Sequence, residues 1–214
     1  MALELASLLD PAHTALVANE CQRGVIGDRS LLPELARAAA PIVPNIARLA
    51  AAARRAGAQV IHTTAVRRAD GRGSNLNARL FMATRRSPRP IVPGSPEAEI
   101  VPEIEVAASD IVLPRMHGLS PLNGTELDAV LRNLGVRTVV AVGVSLNVAV
   151  TNLVFDAVNA AYQVVVPRDA VAGIPAAYAE AVLEHTLGLL ATITTAAEVI
   201  AVWGGDALTA PPGR

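Results

Sequence analysis

Lysine is missing from all 214 residues: every one of the 18 basic side chains is an arginine, set against 19 acidic ones for a net charge of −1. A phosphate-cradling loop needs a lysine behind its glycines, so the stretch GRGSN at 71–75 does not read as one. So small a net charge also removes the global field that would draw the chain to nucleic acid or to an anionic membrane surface. Cysteine occurs once, as Cys21, which excludes an internal disulfide and makes a reducing cytoplasm the expected setting. Aromatics make up 2% of the chain, so its 52% hydrophobic content must pack through Ala, Val, Leu and Ile. The four histidines, His13, His62, His117 and His185, have no ligand spacing, and no metal and no cofactor are expected. No apolar run reaches about 18 residues without a charge, proline or glycine, so no membrane span is expected. The start, MALELASLLDPAH, has no basic segment ahead of a long apolar core, and no signal peptide is expected.

What is present is an alternation of short apolar runs and helical patterns. The length suits one substantial core and is short for two α/β domains. Neither a repeat nor a linker is visible, so residues 1–214 are expected to form a single domain with its core at about 12–203. Strands are expected at 14–19, 59–64, 111–113, 138–142, 163–166 and 191–194, the first of them central. Helices are expected from about 32 to 55 with a break near Ala40, at 125–133, from 147, at 175–190, and from a Thr195 cap to 203. Pro41 and Pro44 cause the break, because proline fits the first turn of a helix and not its middle. Residues 65–102 form a long irregular loop with five prolines between Pro88 and Pro102, which oppose any ladder. Its seven arginines between Arg67 and Arg89 either meet an anionic substrate or face solvent or another subunit. The tail TAPPGR is expected to fray.

The stretch 138–166 runs strand, tight turn, helix, strand, a βαβ unit with parallel strands and a right-handed crossover. Six strands alternating with helices indicate one doubly wound, Rossmann-like parallel sheet with helices on both faces. In such a sheet the ligand crevice lies beyond the carboxyl ends of the strands, which puts chemistry at the turn 143–147.

That turn also carries a resemblance. The frame G-V-x-x-x-V-x-V from Gly143, the helix end D-A-x-N-x-x-Y from Asp156, and Q-V-V-V-P-R-D-A-V-A-G from Gln163 resemble the isochorismatase-like or cysteine hydrolase superfamily. Members read G-V-x-T-x-x-C-V there, and the nucleophilic cysteine falls on Ala149. A methyl group cannot attack a carbonyl, so the covalent route is closed at that position. The resemblance implies the strand order 3-2-1-4-5-6, a small-molecule substrate and a homo-oligomer, dimer or tetramer. It also implies an Asp and a Lys beside the missing cysteine. In ALVANECQRGV, Glu20 falls on the Asp and Gln22 on a glutamine of the same motif. The lysine position falls on Arg115 from the strand side, or on Met116 when counted back from Gly124-Thr125. Ala65 and Arg67 cannot reproduce the D-x-H metal motif of nicotinamidase-like members.

Glu20, at a strand end in an apolar cleft, is the expected catalytic group: protonated it donates to a leaving group or enol carbon, ionised it activates water. The structural alternative is a carboxylate locked to an arginine, an arrangement that would count against a proton donor. Arg115 is expected to orient Glu20 or a substrate anion, and His117 to be a donor or a plain loop histidine. The backbone N–H groups of Ser145 and Ala149 are the expected oxyanion donors by resemblance. Asn147 is expected to cap the helix or to touch substrate, and Asn75 and Asn77 to reach over the crevice, these residues and Gln22 completing a substrate-binding set. Cys21, one step from Glu20 along a strand, should point away and stay inert. His62 is expected in the core. Two functions remain: a hydrolase using Glu20 as the acid, without a covalent intermediate, on a vinyl-ether or related C–O or C–N bond, or a non-catalytic small-molecule-binding or scaffold protein.

Overall fold

The computed structural model describes residues 4–205, so the tail TAPPGR lies outside the described residues. Seven parallel strands make one sheet: β1 (Thr14–Asn19), β2 (Gln59–Ala65), β3 (Ile111–Arg115), β4 (Thr138–Val144), β5 (Gln163–Pro167), β6 (Val171–Ala172) and β7 (Thr192–Thr194). The order is β3-β2-β1-β4-β5-β7, with β6 attached to β4. This is the expected six-strand order plus a two-residue strand too short to leave a pattern. Every residue of β1 and of β4 is buried, as strands covered on both faces require.

Strand alternation divides the interior in two. Leu16, Ala18, Val140 and Val142 face α3 (Val43–Ala56) and α8 (Ala196–Gly205), where Ile46, Leu49, Ala53, Val199 and Trp203 lie. Ala15, Val17, Val139 and Ala141 face Leu127 and Leu131 of α5 (Leu127–Asn133), Val150 and Leu153 of α6 (Ala149–Asn159), and Leu183 of α7 (Ala176–His185). Two shorter helices, α1 (Leu5–Leu8) and α2 (Pro33–Ala39), precede α3, and the break at Ala40 falls where the prolines put it. Thr195 and Glu198 exchange bonds as a capping box, Thr195 N–H to Glu198 Oε2 at 2.9 Å and Glu198 N–H to Thr195 Oγ1 at 3.3 Å.

Three expectations change. The helix expected at 175–190 ends at His185 and gives way to a 3₁₀ turn at Leu187–Leu189, where β-branched Thr186 and Gly188 weaken an α-helix. Helix α6 starts at Ala149, two residues late. The loop 65–102 contains a helix, α4 (Arg79–Arg85), that ends before the first of its prolines, and an isolated antiparallel bridge joins Ile100 to Gln22 outside the sheet. Among the described residues no helix is long and apolar enough to cross a membrane.

One close contact fixes the centre of the sheet. Asn19 of β1 is in register with Gly143 of β4, and a Cβ on Gly143 would lie 2.2 Å from the Asn19 carbonyl oxygen. Gly143 also has φ +101°, which side chains resist. His62 is in the core, its Nε2 3.1 Å from Asp110 Oδ2, while Arg54 grips both oxygens of that carboxylate at 3.0 and 2.6 Å.

Gly143→Ala is expected to cost at least about 3 kcal/mol, read as a lower denaturant midpoint; an unchanged midpoint would mean that β1 and β4 are not clamped here. Burial pushes the His62 imidazole below its usual pKa, against the pull of Asp110. The unfolded chain therefore binds a proton near pH 6.5 that the folded chain refuses, and stability is full above that pH and falls as pH drops below it. Between about pH 7.5 and 5.5 the midpoint should fall more for the wild type than for His62→Gln; parallel curves would remove His62 as the cause.

Candidate active site

Register carries the candidate groups to one end of the sheet. Asn19 pairs with Thr63 of β2 and with Gly143 of β4, so Glu20 and Val144-Ser145 leave neighbouring strands side by side. Asn19 is wholly buried and ties three strands together: Nδ2 donates to the Val144 carbonyl at 2.5 Å and Oδ1 accepts from Thr63 Oγ1 at 2.8 Å. Sequence reasoning passed over it. Its signal was an amide side chain ending a strand that is otherwise apolar apart from its first threonine.

Glu20 has φ +52°, a left-handed conformation uncommon for a residue with a side chain, and its N–H donates to the Thr63 carbonyl at 2.8 Å. Arg115, at the end of β3, reaches across the end of β2 and donates from Nη2 to Glu20 Oε1; the two side chains are 10% and 17% exposed. Met116 is exposed, so the strand-side reading is the one that brings a cation to Glu20. Burial pushes the Glu20 carboxyl above its usual range, and the Arg115 charge and hydrogen bond pull against that rise. The grip is the arrangement named above as counting against a resting proton donor, yet burial is the larger influence and the carboxyl's proton affinity is raised on balance; Arg115 opposes that rise and leaves Oε2 open.

Beyond β4 the Val144–Ser145 peptide is cis. The Ser145 carbonyl accepts from the Val148 and Val150 N–H groups at 3.1 and 3.0 Å, winding the chain into α6. Among the described residues the N–H groups of Ser145 and Ala149 have no protein acceptor, and that of Ala149 belongs to the first turn of α6, where donors are left over. Ala149 itself is buried.

Several expected contacts fall elsewhere. The Gln22 amide is fully engaged: Oε1 accepts from Ala65 N–H at 2.7 Å, and Nε2 donates to the Ala65 and Ala98 carbonyls at 3.1 and 3.4 Å. Wholly buried, it pins the end of β2 to the long loop and has nothing left for substrate. Asn147 does not cap α6; it bonds both main-chain groups of Ile174, accepting from its N–H at 2.8 Å and donating to its carbonyl. The side chain of His117 is exposed, and its carbonyl, not its imidazole, meets Arg115 Nη1 at 3.4 Å. Asn75 and Asn77 diverge. Asn75 Oδ1 accepts from Gly118 N–H at 2.8 Å, beside Arg115, whereas Asn77 is exposed in a surface groove of about 570 Å³ with Leu76, Arg79, Met82 and Arg86. Cys21 is buried on the α3 side of the sheet, its thiol pushed up to about 12 by burial and by the Glu20 charge.

A carboxylate, a guanidinium and two unspent amide donors lie at the carboxyl ends of parallel strands, where a doubly wound α/β sheet opens its ligand crevice. Residues 14–198 match the isochorismatase domain family, and the chain belongs to it. Ureidoacrylate amidohydrolase RutB of Serratia proteamaculans is 32% identical over 176 residues, 75% of this chain and 70% of that protein. In fold the chain is similar to a cysteine hydrolase from Pseudomonas syringae pv. phaseolicola, with a TM-score of 0.80 and 24% identity over 92% of this chain and 95% of that one. It is also similar to N-carbamoylsarcosine amidase from Thermoplasma acidophilum, TM-score 0.68 and 25% identity, covering 86% and 96%. The chain is thus a hydrolase of the isochorismatase family acting on a small molecule.

Cys21 should stay unmodified by a thiol reagent near neutral pH in the folded protein and react once in denaturant; rapid labelling of the native chain would contradict its burial.

Proposed function

We propose that this chain hydrolyses a C–N bond of a small amide or carbamoyl compound without a covalent enzyme intermediate, using water activated by Glu20. The observation that carries the reading is the Glu20–Arg115 pair beside two amide donors with no protein acceptor. Glu20 Oε2 takes a proton from water as the water oxygen bonds to the substrate carbonyl carbon. The carbonyl oxygen becomes an oxyanion, stabilised by the Ser145 and Ala149 N–H groups. The C–N bond then breaks, and the proton on Glu20 passes to the leaving nitrogen, which restores the carboxylate. The acid role expected for Glu20 thus belongs to the second half of the reaction. Arg115 fixes Oε1 throughout and cannot itself give up a proton.

The activities for which the relatives are named, ureidoacrylate amidohydrolase and N-carbamoylsarcosine amidase, support the bond type. Vinyl-ether cleavage, which starts from a protonated Glu20, is less well supported because neither relative is named for that bond. The reading includes a single-domain enzyme assembled as a homo-oligomer in the cytoplasm. Ala149 in the nucleophile position favours a second reading, a protein that binds such compounds without turning them over.

Ureido acids, N-carbamoyl amino acids, primary amides and enol ethers should be offered to the wild type, with product release and intact mass both followed. The expected result is turnover of a ureido, carbamoyl or amide compound, no mass adduct, and at least a ~100-fold lower kcat for Glu20→Gln. Ligand-induced melting shifts without product from any class would favour the binding protein.

A further inference from the structure

The Glu20–Arg115 pair is not self-contained. Arg115 Nη1 donates to the Gly118 carbonyl, and the N–H of the same glycine is held by Asn75 Oδ1 at 2.8 Å. One unbroken path therefore runs from the long loop into the site: Asn75 Oδ1, the Gly118 main chain, the Arg115 guanidinium, Glu20 Oε1. Gly118 has φ +71°, a left-handed turn held at both its main-chain groups, the carbonyl by Arg115 and the N–H by Asn75. The other contact of Arg115 in the turn, to the His117 carbonyl, is the longer one at 3.4 Å.

We propose that Asn75 is a positioning residue: by holding Gly118 it sets the Arg115 guanidinium on Glu20, so that seating of the 65–102 loop fixes the counter-charge that faces the Glu20 carboxyl. The functional consequence rests on the hydrolase reading above; the path itself does not. When the loop lifts, the Gly118 N–H loses its acceptor, the turn slackens, and the Arg115 fork loses the anchor that fixes its direction. The buried carboxyl then keeps the full penalty of desolvation with a weaker counter-charge, and its proton affinity rises. The charged or titratable groups that meet Glu20 among the described residues are Arg115 from β3 and the Cys21 thiol from its own segment. Cys21 is uncharged near neutral pH, so Arg115 is the group whose placement tunes Glu20.

The test needs no substrate. The full-length protein is prepared with glutamate labelled at the carboxyl carbon, the Glu20 signal is assigned by its loss in Glu20→Gln, and its titration is followed by NMR. Arg115→Met should raise the Glu20 midpoint by about one pH unit or more, Asn75→Ala by about half a unit, and Thr84→Ala, on the same loop, not at all. Gly118 amide exchange should quicken at least about tenfold in Asn75→Ala. Asn75→Ser, which keeps a shorter acceptor, should fall between wild type and Asn75→Ala and serves as the second variant if alanine prevents folding. A Glu20 midpoint unmoved in both Asn75 variants, with Gly118 exchange quickened and Arg115→Met shifted, would overturn the proposal and leave Asn75 a tie for the loop. An equal shift in Thr84→Ala would overturn it too. Because the readout is a titration, its failure leaves the hydrolase reading untouched, and failure to find turnover leaves the titration result standing.

Discussion

The contact on which the site depends is between two backbones: the carbonyl of Asn19 lies where a side chain on Gly143 would be. Because the two strands approach so closely at their ends, Glu20 and the Ser145 turn emerge next to each other. Asn19 reinforces the junction by bonding the Val144 carbonyl and the Thr63 hydroxyl. A buried amide with both ends satisfied is a rigid cross-link, whereas the same amide left unpaired would cost free energy. The left-handed conformation of Glu20 belongs to this junction, since the strand must turn as it leaves the sheet.

On that frame sits an electrostatic arrangement built without lysine. A guanidinium offers several fixed donors, and Arg115 divides them between Glu20 and the 117–118 turn. A lysine would be a single point charge able to rotate and to lose its proton; arginine does neither. The pair is mostly withdrawn from water, so removing one member would leave an uncompensated charge, which costs far more than the net worth of the pair. What stabilises the carboxylate also makes it dependent on everything that positions the guanidinium.

The fold was legible from the sequence, and the site only in part. Apolar runs buried on both faces, the prolines near Ala40 and the Thr195–Glu198 cap are local facts, and each produced the element it foretold. Glu20 was singled out by its place at a strand end and by the resemblance, Arg115 by the resemblance alone. The backbone ties of Gln22 and Asn147 were not legible, because a polar side chain near a crevice looks the same in sequence whether its bonds are spent on backbone or open to a ligand. Gln22 and Asn147 are spent on Ala65 and Ile174, positions 43 and 27 residues away in the chain. Helix α4 was hidden by the prolines that follow it.

The amino-acid sequence alone determined the layered α/β architecture and, through its resemblance, the strand order, because these depend on periodicity and residue identity. Tertiary structure decided which of two residues, Arg115 or Met116, meets Glu20, and it joined Asn75 to the same cluster through Gly118. These contacts span 95 and 43 residues and rest on register and loop path, which no local pattern encodes. The charge on one carboxyl is therefore a property of the folded molecule: burial raises its proton affinity, a neighbour from another strand opposes the rise, and only folding brings the two together.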